Sequence, residues 1–156
     1  MKTKSRGASI SLFLEILDHG YEKKAWHGPN LKGALRGVSA KAAAWRPAPG
    51  RHNIWELLLH AAYWKYAVRR RLQGEKRGSF PMAGSNWFAN GGRSGEKAWK
   101  KDRELLEREH RQLRATIAGL RSNKRLPEAM LFGVAFHDVY HAGQIQLLKR
   151  LQARRG

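Results

Sequence analysis

No cysteine occurs in the 156 residues, which excludes disulfides, zinc ribbons and thiolate nucleophiles and leaves the redox compartment open. Any metal site must then be built from His, Asp, Glu or Gln. Long apolar runs are missing as well. None reaches the roughly 18 residues that a membrane span needs, so no membrane segment is expected. Residues 1–6 are basic, but the apolar stretch 10–17 behind them is interrupted by Ser11 and Glu15, and no small-residue cleavage site follows. That stretch reads as a helix rather than a signal peptide, and a cytoplasmic location is the expectation. No segment alternates with period two for long enough to make a strand, and there is no internal repeat. Acidic residues are scarce, 12 against 31 Lys+Arg, for a formal net charge of +19. Such an excess attracts polyanions, nucleic acid among them. The basic residues, however, run along the whole chain, with their densest patches at 69–71, 97–101 and 149–155. Nucleic acid is a conceivable partner and not the favoured one.

What is present is helical periodicity over a length that suits one domain, residues 1–156. Apolar positions 10, 13, 14 and 17, with Ile16 and Tyr21, predict a helix over about 8–24. A short helical piece is expected over 30–37 and one more turn from a Ser39 cap to 44, before Pro47 and Pro49 stop it. A second long helix starts at Asn53, an N-cap with Glu56 three residues on in a capping-box-like pattern, and runs to about 73. Residues 74–95 hold six glycines and Pro81, too broken for a regular element. Phe80, Trp87 and Phe88 within them predict an ordered crossover or lid. The third long helix spans about 96–120, with Trp99, Leu106, Leu113 and Leu120 seven apart, and a turn follows at 123–127. The fourth, about 128–152, is apolar on most faces in its middle and is expected to be the most buried of the four. The sum is an all-α four-helix bundle. A 20-residue helix is about 30 Å long, and the crossover between the second and third helices is long enough to let them run parallel, up-down-down-up.

His137 and His141, four apart on the last helix, can aim two imidazoles at one point, a pairing that suits a divalent metal. His60, mid-way along the other strongly apolar helix, is the best candidate for a third ligand. Three neutral imidazoles leave coordination positions open for water or substrate, as in a catalytic rather than a structural site. Zinc, nickel, iron and manganese all accept imidazole, so the ion stays open. Burying three imidazoles without partners would cost a few kcal/mol, which weighs against their being incidental core residues. Glu56, one turn before His60, and Gln144, one turn past His141, are candidates for catalytic or supporting roles; capping explains Glu56 and a helix-to-helix bond explains Gln144 without any function. His52 is eight residues from His60, about 12 Å along a helix, too far for the same ion. His19, His27 and His110 have no partner at ligand spacing and read as surface or interface positions. Asp138 is expected to miss the metal and to pair with the basic surface. Trp55, Tyr63, Trp64, Trp87 and Trp99 read as core and crossover anchors, one or two of them walling a substrate pocket.

Three stretches, "IWELLLHAAYWKYAVRRRL", "FHDVYHAGQIQLLKRL" and "AWHGPNLKGALRGV", carry a resemblance to the DinB/YfiT-like metalloenzymes, and it covers nearly the whole chain. The resemblance implies an up-down-down-up four-helix bundle that binds a divalent metal through His60 of the second long helix and the His137–His141 pair of the fourth. It also implies pairing into homodimers, a small-molecule substrate, and a metal-dependent hydrolase or thiol S-transferase in which water or a low-molecular-weight thiol cosubstrate is activated. A basic nucleic-acid-binding or dimeric interaction module with a non-catalytic metal site is the alternative, and the residues alone do not establish turnover.

Overall fold

A computed structural model describes residues 6–76, 78, 80–89, 93–121 and 126–154, with side chains from residue 10 onward. Among these it holds six helices and no strand: α1 (Arg6–Tyr21), α2 (Leu31–Ala34), α3 (Ala40–Ala44), α4 (Ile54–Leu72), α5 (Gly95–Ala118) and α6 (Glu128–Ala153). Each begins and ends within a few residues of where periodicity and stop signals put it. The turn expected at 123–127 falls mostly on residues 122–125, and part of the 149–155 basic patch on Arg155, outside the described residues.

Local chemistry accounts for the starts. Asn30, Ser39 and Asn53 sit in extended backbone just before α2, α3 and α4, and each side chain accepts a hydrogen bond from the backbone N–H three residues on, satisfying a donor that the first turn would leave orphaned. Only half of the expected capping box forms at α4. The Asn53 side chain caps the Glu56 N–H at 2.8 Å, but the Glu56 carboxylate turns to Arg46 and His52.

Cross-helix contacts show how the long helices align. Trp55 donates to Asp102 at 2.8 Å and Arg69 pairs with Glu109 at 3.2 Å, so contacts advance together along α4 and α5. Between α4 and α6 they run oppositely: Leu58 shares a cluster with Ile145 and Leu148, and Val68 one with Leu131 and Val134, while between these levels Lys65 pairs with Asp138 and His60 meets His137 and His141. Phe13 packs on Phe132, and a Cβ at Gly20 would stand 2.9 Å from the Ala135 carbonyl oxygen. Glycine is what lets α1 and α6 come that close.

The apolar side chains fall into two clusters, one joining α2, α3, α4, the crossover, the first half of α5, the second half of α6 and Tyr21 at the end of α1, the other joining α1, the first half of α6, the second half of α5 and Val68 of α4. Burial corrects the expectation about α6. Thirteen of the nineteen α4 residues are buried against eight of twenty-six in α6, because α4 is packed by α3, α5, α6 and the crossover at once. The apolar excess of α6 instead faces outward: Phe136 is 60 % exposed, Tyr140 65 % and Leu147 59 %. The crossover is ordered where it is described. Phe80 and Phe88 are buried against Tyr63 of α4, each ring centroid 5.4 Å away.

No helix is long and apolar enough to cross a membrane among the described residues.

Candidate metal centre

The side chains of α4 and α6 meet on a face where both sequences place histidine. His60 lies in the middle of α4; His137 and His141 lie one turn apart on α6 and so share a face. The His60 and His137 Nε2 atoms are 3.0 Å apart, as are those of His137 and His141. One ring nitrogen from each of the three residues lies within 4.8 Å of the others. Ligand–ligand edges of about 3.0–3.4 Å are what bonds of roughly 2.0–2.1 Å from imidazole nitrogens to one ion would give.

The outer ring nitrogens fix the tautomers. His60 Nδ1 is 2.7 Å from the Asn86 carbonyl oxygen, and His141 Nδ1 is 2.6 Å from Gln144 Oε1. An oxygen acceptor requires the hydrogen on Nδ1, which leaves the Nε2 lone pair of a neutral ring free to point inward. Neutrality follows from the surroundings. Burial, reinforced by the neighbouring His141 and His52, depresses His60 to about 4 despite its bond to Asn86. Burial and the two companion imidazoles depress His137 to about 3. His141 is lowered by burial, with Gln144 opposing. Three convergent imidazoles held neutral by burial, two of them oriented through Nδ1, fit a divalent metal ion by the chemistry of the donor set.

The crossover supplies the next layer. Asn86 adopts the left-handed conformation, φ +69°, which Asn tolerates better than most residues. Its carbonyl holds His60, and its side-chain oxygen accepts from Trp64 Nε1 at 2.9 Å. Trp87 stacks flat on His60, centroids 3.8 Å apart, and on its other face stacks on His52 at 3.6 Å. His52 precedes α4 rather than lying on it, so it is the Trp87 indole, and not eight residues of helical rise, that separates His52 from His60. Its Nδ1 is 2.9 Å from a Glu56 oxygen, and Arg46 takes both Glu56 oxygens. Burial would raise the Glu56 carboxyl, but the Arg46 and His52 bonds hold it below its ordinary value. Glu56 thus braces His52 and Arg46 and makes no bond to the His60 ring, whereas Gln144 touches His141 directly. Asn86 escaped the sequence reading because a loop residue's partners are set by tertiary docking.

Two expectations are corrected below the site. Asp138 misses the three-histidine point, as expected, but pairs in the interior with Lys65 rather than at the surface; both residues are 0 % exposed. His110, expected on the surface or at an interface, is buried; its ring stacks on Tyr21 with centroids 3.7 Å apart, and its Nδ1 lies 3.3 Å from Lys65 Nζ. Burial first, then the Lys65 cation, depress His110 to about 2. The signal was in the spacing, since Leu106, His110, Leu113 and Ile117 occupy one helical stripe. His27 is exposed, and His19 bonds the Lys24 carbonyl at 2.8 Å in an exposed setting, both as predicted for surface positions.

An all-helical protein with three inward-facing imidazoles contributed by two of its helices defines the class. A family model described as the DinB superfamily matches residues 25–145, a span that includes His60, Asn86, His137, His141 and Gln144. The chain belongs to the DinB superfamily. No curated protein and no solved structure matches it.

Proposed function

We propose that this protein is a single-domain, metal-dependent enzyme of DinB type, in which His60, His137 and His141 hold a divalent ion and water or a low-molecular-weight thiol is activated for hydrolysis or S-transfer. The observation that carries the reading is the convergence of three lone-pair nitrogens within 4.8 Å of one another. Zinc, nickel, iron and manganese all suit imidazole. When bound there, such an ion supplies Lewis acidity that lowers the pKa of water or of a thiol. The chain's own part is to orient and to shelter. Asn86 and Gln144 hold the ring tautomers, and Trp87 and Trp64 wall the His60 side. A small-molecule substrate, with a thiol cosubstrate in the S-transfer case, would enter between the bundle and the crossover. Glu56 is a poor proton carrier for that reaction, because Arg46 and His52 already engage its oxygens. An up-down-down-up bundle is the topology we infer, supported by contacts that advance together along α4 and α5 and oppositely along α4 and α6. A cytoplasmic location remains part of this reading.

A homodimer is a second element of the proposal, favoured by the outer face of α6. Its successive exposed positions Gly133, Phe136, Tyr140, Gly143 and Leu147 carry no charge, in a chain whose net charge is +19. If two copies cross antiparallel with their Tyr140 residues opposed, Phe136 of each falls near Gly143 of the other and Leu147 near Gly133. Large meets small on a self-complementary face.

Elemental analysis of the purified wild type and His60→Ala tests the metal, followed by a turnover screen pairing thiols or water with electrophiles in the presence of each ion. Stoichiometric divalent metal in the wild type, lost in His60→Ala with helicity kept, is the expected result. Equal metal in both proteins would put the third ligand elsewhere.

A further inference from the structure

The Lys65–Asp138 pair lies fully inside the protein and leaves work undone there. Asp138 Oδ1 has no hydrogen-bond partner, and neither has Nε2 of His110, the imidazole beside Lys65. A buried ion pair with a remaining lone pair unsatisfied recovers its desolvation cost poorly, and apolar side chains of similar volume commonly serve stability as well or better. Stability is therefore a weak explanation for this pair. Its place in the fold offers a better one.

Lys65 is on α4, five residues beyond His60; Asp138 is on α6, next to His137 and three residues before His141. Because the two helices run oppositely, His60 faces the histidine pair at one level and Lys65 faces Asp138 a little further along. Apolar packing joins the two helices, since Leu57, Leu58, Ala61 and Ala62 of α4 share a buried cluster with Ala142, Ile145 and Leu148 of α6. Such contacts are non-directional. A charge-assisted hydrogen bond is directional in a way that methyl contacts are not.

We infer that Lys65 and Asp138 are positioning residues, a clamp that fixes the register of α4 against α6 so that the His60 imidazole meets those of His137 and His141. The inference rests on the metal-site reading above but is stated about the imidazoles themselves. A buried Lys65–Asp138 pair that shares one proton sums to zero charge, so replacing both by apolar residues leaves the local charge sum unchanged. A loss of metal affinity in that double variant would then come from geometry and not from a changed field.

The experiment compares wild type with Lys65→Met/Asp138→Leu in three measurements: thermal midpoint, zinc affinity by chelator competition, and the imidazole nitrogen NMR spectrum of the metal-free protein. The expected double variant folds with a midpoint equal to or above wild type, binds Zn2+ at least tenfold more weakly, and shows averaged tautomers where wild-type His60 and His141 are locked with the proton on Nδ1. The NMR measurement keeps the clamp testable should wild type bind no zinc, which would sink the metal reading by itself. Zinc affinity within twofold of wild type, or unchanged locked tautomers, would overturn the clamp. If the double variant fails to fold, Lys65→Met/Asp138→Met, with two side chains that adapt to irregular space, replaces it. Failure of both to fold would overturn the inference too, since the pair would then be needed for the fold and not for its register.

Discussion

His110→Phe should change how stability responds to pH more than it changes stability at neutral pH. The phenyl ring can keep the stack on Tyr21 and removes the unpartnered Nε2. What it cannot keep is the titration. In the unfolded chain His110 takes up a proton near the reference pKa of about 6.5; in the fold, burial and Lys65 hold it neutral down to about 2. Below about 6.5 the unfolded state therefore binds a proton that the native state refuses, and wild-type stability falls as pH falls. The wild-type penalty is close to zero at pH 7.5 and grows to about 2 kcal/mol at pH 5, at a limiting slope of about 1.4 kcal/mol per pH unit. His110→Phe lacks that term, while the other histidines titrate in both proteins and cancel in the difference. Urea unfolding of the metal-free proteins at pH 7.5, 6.5, 5.5 and 5 reads it directly. With a urea m-value of about 2 kcal/mol/M, the variant's midpoint should gain about 1 M on wild type across that range. Parallel stability curves would refute the reasoning, because they would mean that His110 is protonated inside the fold as easily as outside it.

Gln144→Leu removes the acceptor that fixes the His141 tautomer and should weaken zinc binding by about 10–100-fold with little change in helicity, measured by chelator competition. Trp55→Phe takes the indole donor from buried Asp102 and should cost about 1–3 kcal/mol in urea unfolding; an unchanged midpoint would show that Arg93, 3.4 Å from the same carboxylate, suffices. Binding to single-stranded RNA should be detectable at low salt and vanish by about 0.15 M, as a diffuse positive field predicts; tight binding beyond that, with a steep salt slope, would revive the nucleic-acid reading.

The helices and the shared face of His137 and His141 were legible because both depend on local periodicity. Asn53 announces the start of α4, and His137 and His141 share a face whatever packs around them. That His60 would meet them followed from their places on two apolar helices together with the family resemblance. Buried charge was harder to read. Lys65, His110 and Asp138 each occupy a core stripe, with Ala61 and Val68, Leu106 and Leu113, or Val134 and Ile145 on either side. The types of His110 and Asp138 argued for the surface, since such residues go inside only when paired, and Lys65 drew no reading at all. A pairing that joins three helices cannot be seen from any one of them. The same holds for α6, where apolarity on most faces suggested depth and in the fold marks an uncovered face. Asn86 and Trp87 belong to a stretch with no period at all, and only the docked crossover assigns them to His60.

On the proposed metal-site reading, the Asn86 carbonyl that seats His60 also bears on when an ion can be taken up. On the ribosome, which adds about 5–20 residues per second, α4 and the crossover are synthesised first, and the α6 histidines follow seconds later. Until α6 docks, His60 is a single imidazole with no second ligand beside it, and the HxxxH pair has no third. On that reading, capture by all three imidazoles follows assembly, and the ion taken up is the one on offer in the compartment where folding finishes. Expression of one chain in cells with different metal pools should return different ions in the same three-histidine seat.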